Sequence, residues 1–195
     1  MVNPFFWYYS MRLILVRHAQ PDYNICRKRG FIGLGINLAP LTDEGCKQAD
    51  IMSKNAIFHD ADAVVSSPYT RAIQTASYIS IEHGLPLKVE VDLQEWIPDL
   101  TYKNSIDDEI ELSNEFLKNG GHWPNSPQKW EPLDQFSNRI TQTLDKYISY
   151  NKIVAVCHGA IIYHLTNICS VPYCGIIEID YHLGYIPKGT FKKKL

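Results

Sequence analysis

Leu13-Ile14-Leu15-Val16-Arg17-His18 is a run of four apolar residues that ends on a cation and an imidazole. The run has strand length and no polar alternation, which predicts a strand buried on both faces, as in a parallel sheet. Two further runs read the same way, Ala63-Val64-Val65 and Ile153-Val154-Ala155-Val156. Helical patterns fall between them. Thr42 can cap a helix whose first turn carries Asp43 and Glu44, with Cys46, Ala49, Met52 and Ala56 on its apolar stripe. Ser67-Pro68 predicts a second helix start, with Ala72, Ile73, Ala76 and Ile79 at helical spacing and Gly84 as the stop. A third helix is predicted from about Leu133 to Ile148 and a fourth from about Ala160. Leu87 to Val91 alternates like an edge strand, and Ile176 to Ile179 resembles a last strand. Strands alternating with helices predict an α/β fold, a three-layer α/β/α sandwich with a mainly parallel central sheet. Gln20 to Pro40 is expected to be a Gly-rich loop, and 96–130 an irregular insertion with a short helix near Asp107 to Leu117. The expected organisation is one domain over 11–195 and an aromatic N-terminal extension over 1–10.

In open α/β sheets, sites form beyond the carboxyl ends of the strands. Arg17 and His18 follow the first apolar run. Ser66 and Ser67 follow the second, with Arg71 in the first turn of the next helix. Cys157, His158 and Gly159 follow the third, and Glu95 comes after Leu87 to Val91. Singly, each has an ordinary structural explanation; together they put two His, two Arg and one Glu at one sheet edge. Arginine pairs bidentately with phosphate oxygens, and a helix N-terminus beside Arg71 adds backbone donors. A neutral imidazole can attack phosphorus and divide one hard displacement into two. A carboxylic acid with a raised pKa must then protonate the leaving oxygen, and Glu95 is the candidate.

Other chemistries fit less well. None of the five cysteines begins a Cys-x5-Arg loop, and no Gly-x4-Gly-Lys-Ser/Thr loop is present. Asp60-Ala-Asp62-Ala-Val64 resembles an aspartyl-phosphatase signature, but here the strand follows the aspartates instead of preceding them. His18 and His158 could share a metal, yet no Asp or third His follows another strand end to complete it. A net charge of −2 gives no support for a nucleic-acid partner. The Lys192–Lys193–Lys194 run reads as a solvated tail. An odd, irregularly spaced set of cysteines predicts reduced thiols and a cytoplasmic protein, with Cys169 and Cys174 structural. The apolar stretch Val2 to Tyr9 is too short for a membrane span and lacks the basic flank of a signal peptide; it suggests a subunit contact, such as a homodimer interface.

Arg17-His18-Ala19-Gln20 resembles the Arg-His-Gly signature of the histidine phosphatase superfamily, which includes the cofactor-dependent phosphoglycerate mutases. Pro40-Leu41-Thr42-Asp43-Glu44-Gly45 with Gln48-Ala49, the block from Ser66 to Ala76, Leu93-Gln94-Glu95 and Cys157-His158-Gly159 are each similar to a family segment, and they occur in family order. The resemblance implies a histidine acid-type phosphatase that needs neither cofactor nor metal. It implies that His18 becomes phosphorylated, that Arg17, Asn24, Arg71 and His158 hold the phosphoryl group, and that Glu95 serves as acid and then base, with His18, Glu95 and His158 forming the catalytic set. Ala19 replaces the usual Gly, Pro21 stands where many members have Ser or Thr, and the Glu-Gly pair often found after the acid is absent. Asp92 and Glu90 are neighbouring carboxylates that could stand in for Glu95.

A phosphatase and a mutase share the first half-reaction and differ in the acceptor. Asp107, Asp108, Glu109 and Glu111 make the 96–130 segment acidic, which favours hydrolysis of a small phosphorylated substrate over transfer between doubly anionic acids. A non-catalytic phosphate- or phosphoprotein-binding module is the other class, and retention of His18 and both arginines weighs against it. Trp96, Tyr102, Trp123 and Trp130 either shape the leaving-group pocket or pack the core of the inserted segment.

Overall fold

The computed structural model describes residues 10–122, 129–189 and 191. The aromatic stretch Val2 to Tyr9, Trp123 and the Lys192–Lys194 run lie outside them. The strands β1 (Ser10–Arg17), β2 (Ala63–Ser66), β3 (Leu87–Val89), β4 (Lys152–Cys157) and β5 (Ile176–His182) form one sheet in the order β3-β2-β4-β1-β5. The first four are parallel, and β5 runs antiparallel along the outer edge of β1. The mainly parallel α/β architecture read from the sequence is therefore the observed one. Six α-helices are described: α1 (Tyr23–Lys28), α2 (Asp43–Ser53), α3 (Thr70–His83), α4 (Ile106–Lys118), α5 (Leu133–Asp145) and α6 (Gly159–Thr166).

The first apolar run shows why the sheet has two covered faces. Leu13 and Leu15 pack with residues of α4, α5 and α6, including Phe116, Phe136, Ile140 and Ile161. Ile14 and Val16 point the other way, onto Met52 of α2 and Ala72, Ala76 and Ile79 of α3. Alternate side chains of one strand thus serve two cores, as the pleat requires. Each such side chain taken from water contributes roughly 1.5–3 kcal/mol.

Several boundaries differ from the sequence expectation for identifiable reasons. Thr42 caps α2 as predicted, accepting from Gly45 N at 2.8 Å, but Ala56 lies beyond the helix, exposed at the start of a 3-10 turn. The second helix starts at Thr70 and not at Pro68, because Ser67 N is still bonded to Val156 O of β4 and Ser67 Oγ receives Tyr69 N. Gly84 ends it in the left-handed region at φ 63°. The expected loop at 20–40 contains α1, capped by Asp22, and a 3-10 turn over Gly33–Leu38. The edge strand stops at Val89, and α5 ends at Asp145 where Ile148 was expected. All five cysteines are free. Among the described residues no helix is long and apolar enough to cross a membrane.

His164 on α6 sits between Phe136 and Phe191, with ring centroids 5.3 and 5.8 Å away, and neither ring nitrogen has a partner among the described residues. Burial, reinforced by Arg139, pulls its pKa down from 6.5 to about 4. The unfolded chain takes up this proton near pH 6.5, and the folded chain only near pH 4. The stability tied to the neutral ring is therefore complete above pH 6.5 and is lost as pH falls toward 4, at about 1.4 kcal/mol per pH unit. His164→Phe is expected to show a smaller drop in Tm between pH 7.5 and pH 4.5 than the wild type. Equal drops in thermal melts of the two proteins would remove His164 from the acid response.

Candidate active site

The parallel register pairs Arg17 at the end of β1 with Cys157 at the end of β4, so His18 and His158 emerge side by side with ring centroids 5.1 Å apart. His18 is buried, 5% exposed. Its Nδ1 lies 2.8 Å from its neighbour's carbonyl, Ala19 O, and its Nε2 lies 3.2 Å from Arg71 Nε, which must donate. Both contacts require the tautomer with the proton on Nδ1, which leaves a lone pair on Nε2 facing the arginine. Burial first, and then the charges of Arg71 and Arg17, lower its pKa to about 3, so the ring stays neutral over the ordinary pH range.

Arg71, in the first turn of α3, is also buried; besides His18 it reaches Asn37 Oδ1 at 3.2 Å and lies over the Tyr69 ring. Arg17 donates Nη1 to Val171 O at 2.6 Å and lies over Tyr173, while its buried Nε has no partner among the described residues. His158 is fully buried with Nε2 2.7 Å from Ser67 Oγ, and its Nδ1 likewise lacks a partner. Burial, helped by Arg71, holds His158 well below its ordinary pKa. Buried polar groups without a partner are uncommon and costly. Here an Arg nitrogen and a His nitrogen of this kind belong to the residue before His18 and to the ring packed against it. Behind His18, polar side chains pin the backbone: Ala19 N bonds Thr75 Oγ1, Gln20 N bonds Gln48 Oε1, and Leu41 N bonds Gln74 Oε1.

Glu95 follows a 3-10 turn after β3 and is half-buried. Its oxygens accept from Trp96 N at 3.0 Å and Ala160 N at 3.4 Å. Burial raises its pKa; the two backbone N–H groups and the positive charges of Arg71 and Arg139 only partly offset that. A protonated carboxyl near neutrality is what a general acid requires. The loop that carries it is clamped from α5. Arg139 donates to the carbonyls of Asp92, Gln94 and Glu95 at 2.5–3.1 Å, and it pairs in bidentate fashion with buried Glu131 at 2.5 and 2.8 Å. Glu131 in turn receives Ile97 N, and its carbonyl receives Trp96 Nε1.

Arg17, His18, Arg71 and Glu95 line one cavity of about 480 Å³; His158 is not among the lining residues, and its ring packs edge-on against His18 at 5.1 Å. Asn24 is not brought there: it is exposed on α1 and does not line the cavity, and Asn37 makes the contact with Arg71. The alternative acids are also elsewhere. Glu90 is tied to Lys146 Nζ and Tyr147 OH at 2.8 and 2.7 Å, and Asp92 is not among the lining residues. Asp62 receives Asn151 N and Lys152 N where β4 begins, at the opposite end of the sheet from His18. Among the described residues no group of His, Cys, Asp and Glu is arranged to hold a metal ion. Of the four aromatics, Trp96 and Tyr102 line the cavity, while Trp130 is fully buried and packs with Phe116 and Trp96. Trp96 does both, with its ring centroid 4.1 Å from Phe116. Asn37, Tyr173, Glu131 and Arg139 carry no signal in the sequence, because each meets the site from a segment remote in the chain.

The family model of the histidine phosphatase superfamily (branch 1) matches residues 13–179. A Hydrogenobacter thermophilus protein named "Putative phosphoserine phosphatase 2" is 32% identical over 169 residues, spanning 80% of this chain and 79% of its own. A phosphoserine phosphatase variant from Entamoeba histolytica, solved with phosphoserine, shares the fold at 23% identity, with 91% and 94% of the two chains covered and a TM-score of 0.64. A phosphoglycerate mutase from Bacillus anthracis does so at 16% identity, with 94% of each chain covered and a TM-score of 0.67.

Proposed function

The chain belongs to the histidine phosphatase superfamily (branch 1), and from that membership we propose that it is a phosphomonoester hydrolase working through a phosphohistidine on His18. One observation carries the reading. A neutral, buried imidazole with its lone pair on Nε2, beside Arg71, lines the same cavity as two arginines and a carboxyl of raised pKa. Nε2 attacks phosphorus in line, a P–N bond forms and the ester P–O bond breaks. The proton on the Glu95 carboxyl goes to the leaving oxygen. Water then attacks the phosphohistidine, Glu95 takes its proton, the P–N bond breaks and inorganic phosphate leaves. Arg17, Arg71 and His158 hold the phosphoryl oxygens, with donors that strengthen as charge spreads in the transition state. Asn24 has no part in this contact set. The arginines supply the positive charge, so the reaction is metal-independent and of the histidine acid phosphatase type.

Hydrolysis is favoured over phosphoryl transfer between phosphorylated acids. Beyond Arg17 and Arg71, Arg27 is the one arginine or lysine among the described lining residues, and Asp107 lies 3.6 Å from it. A second phosphate would be poorly held there.

p-Nitrophenyl phosphate is expected to be hydrolysed in excess chelator, and activity that vanishes with chelator would replace this mechanism with a metal-dependent one. Glu95→Gln is expected to lower kcat by about 10²-fold or more on an alkyl phosphate, whose leaving oxygen needs the proton. The loss on p-nitrophenyl phosphate should be much smaller. The alkaline fall of the wild-type profile, which follows loss of the Glu95 proton above its ordinary pKa, should also disappear in the variant. Equal losses on both substrates would take Glu95 out of the acid role.

A further inference from the structure

Away from the phosphoryl end, the cavity changes character. Leu34, Trp96, Ile97, Ile110, Phe116 and Leu117 line it, drawn from the 3-10 turn after α1, the loop after Glu95 and one face of α4. Ile110, Leu34 and Leu117 are 55%, 51% and 44% exposed, so apolar surface continues to the mouth. This wall is held in shape by the backbone. Gly33, at φ 51°, donates its N–H to Asn104 O, and a Cβ there would run into the Tyr102 carbonyl.

The carboxylate that lines this side is already engaged. Asp99 is the distal lining carboxylate. Burial pushes its pKa up, but hydrogen bonds from Thr101 and from the backbone N–H groups of Thr101, Lys103 and Asn104 outweigh that and lower it. Those bonds occupy both of its oxygens. Arg27 faces Asp107. Among the described residues, an ammonium group on the leaving alcohol would therefore find no open carboxylate here, and burying it unpaired is costly. An apolar ring would find a lined slot of the size that ordinary small-molecule sites have.

Building on the hydrolase reading, we propose that the preferred substrates are phosphomonoesters whose leaving alcohol carries an apolar, ring-bearing body and no ammonium. The wall residues set this preference: they cover the ring with apolar surface, and they offer no carboxylate to the ammonium of an amino acid such as the alcohol of phosphoserine.

The test compares 2-phenylethyl phosphate with O-phosphoserine, both primary alkyl esters, so that leaving-group reactivity is nearly matched. The expected result is a kcat/KM at least about tenfold higher for the phenyl ester, the discrimination that a modest hydrophobic contact supplies. Ile110→Asp should narrow that ratio by placing a carboxylate at the mouth. Calorimetric binding of the non-hydrolysable 3-phenylpropylphosphonate and 2-amino-4-phosphonobutanoate gives the same comparison without turnover, and the aromatic phosphonate is expected to bind more tightly. Equal or better handling of the amino acid compound in both assays overturns the proposal while leaving the hydrolase reading intact. If neither ester is hydrolysed, p-nitrophenyl phosphate decides the hydrolase reading and the calorimetric ratio decides the preference of the cavity.

Discussion

His18→Ala is expected to lower kcat on p-nitrophenyl phosphate by at least about 10⁴-fold, because it removes the group that divides the displacement into two steps. The loss should fall on kcat more than on KM, since Arg17, Arg71 and His158 remain to bind the phosphoryl group. Two structural facts make the expectation specific to one atom. Nδ1–H donates to the Ala19 carbonyl, so the attacking lone pair is on Nε2, where the Arg71 Nε–H must yield it to phosphorus. The low pKa of the ring, about 3, keeps that lone pair available well below pH 6.5. Wild-type protein denatured during turnover should carry phosphate that is lost in acid and survives alkali, as a phosphorus–nitrogen bond does, and the variant should carry none. A variant within tenfold of the wild type, or an unlabelled wild type, would end the phosphohistidine mechanism.

Glu131→Gln is expected to destabilise the fold by about 3–5 kcal/mol, the cost of leaving a buried charge unpaired. For a chain of this length that lowers Tm by roughly 6–20 °C. Arg139 would lose its counter-charge while still holding the carbonyls of Asp92, Gln94 and Glu95. The side chains of the pair are 12% and 4% exposed, which keeps water from compensating. Glu178→Gln breaks the Arg12 pair, whose side chains are 53% and 37% exposed, and should cost under about 1 kcal/mol. Similar Tm values for the two variants would show that the buried pair is not what fixes the loop.

The element pattern was legible because a strand buried on both faces leaves a plain trace, an unbroken apolar run. Leu13 to Val16, Ala63 to Val65 and Ile153 to Val156 are all strands of the parallel part of the sheet. Boundaries were less legible where side chains or neighbouring strands reset the backbone. Pro68 suits a helix start, but the bond from Ser67 N to β4 holds the chain extended for two more residues. Asp22 turned part of an expected loop into α1 by capping it. The aromatic reading divided in the same way, since composition cannot distinguish a ring that lines a cavity from one such as Trp130 that closes the core beneath it.

By itself, the sequence determined that Arg17–His18, Arg71, Glu95 and His158 would gather at the carboxyl edge of a parallel sheet. Strand polarity and the short spacing from strand end to side chain leave them no other edge to reach. Tertiary structure alone decided which nitrogen of His18 carries the lone pair, since that depends on a carbonyl and an arginine meeting the ring from opposite sides. It also decided that Asn37 reaches Arg71 while Asn24 stays on the surface, and that Glu131 and Arg139 hold the Glu95 loop. Contacts of this kind join segments far apart in the chain. Their partners are set by packing and have no local pattern to announce them.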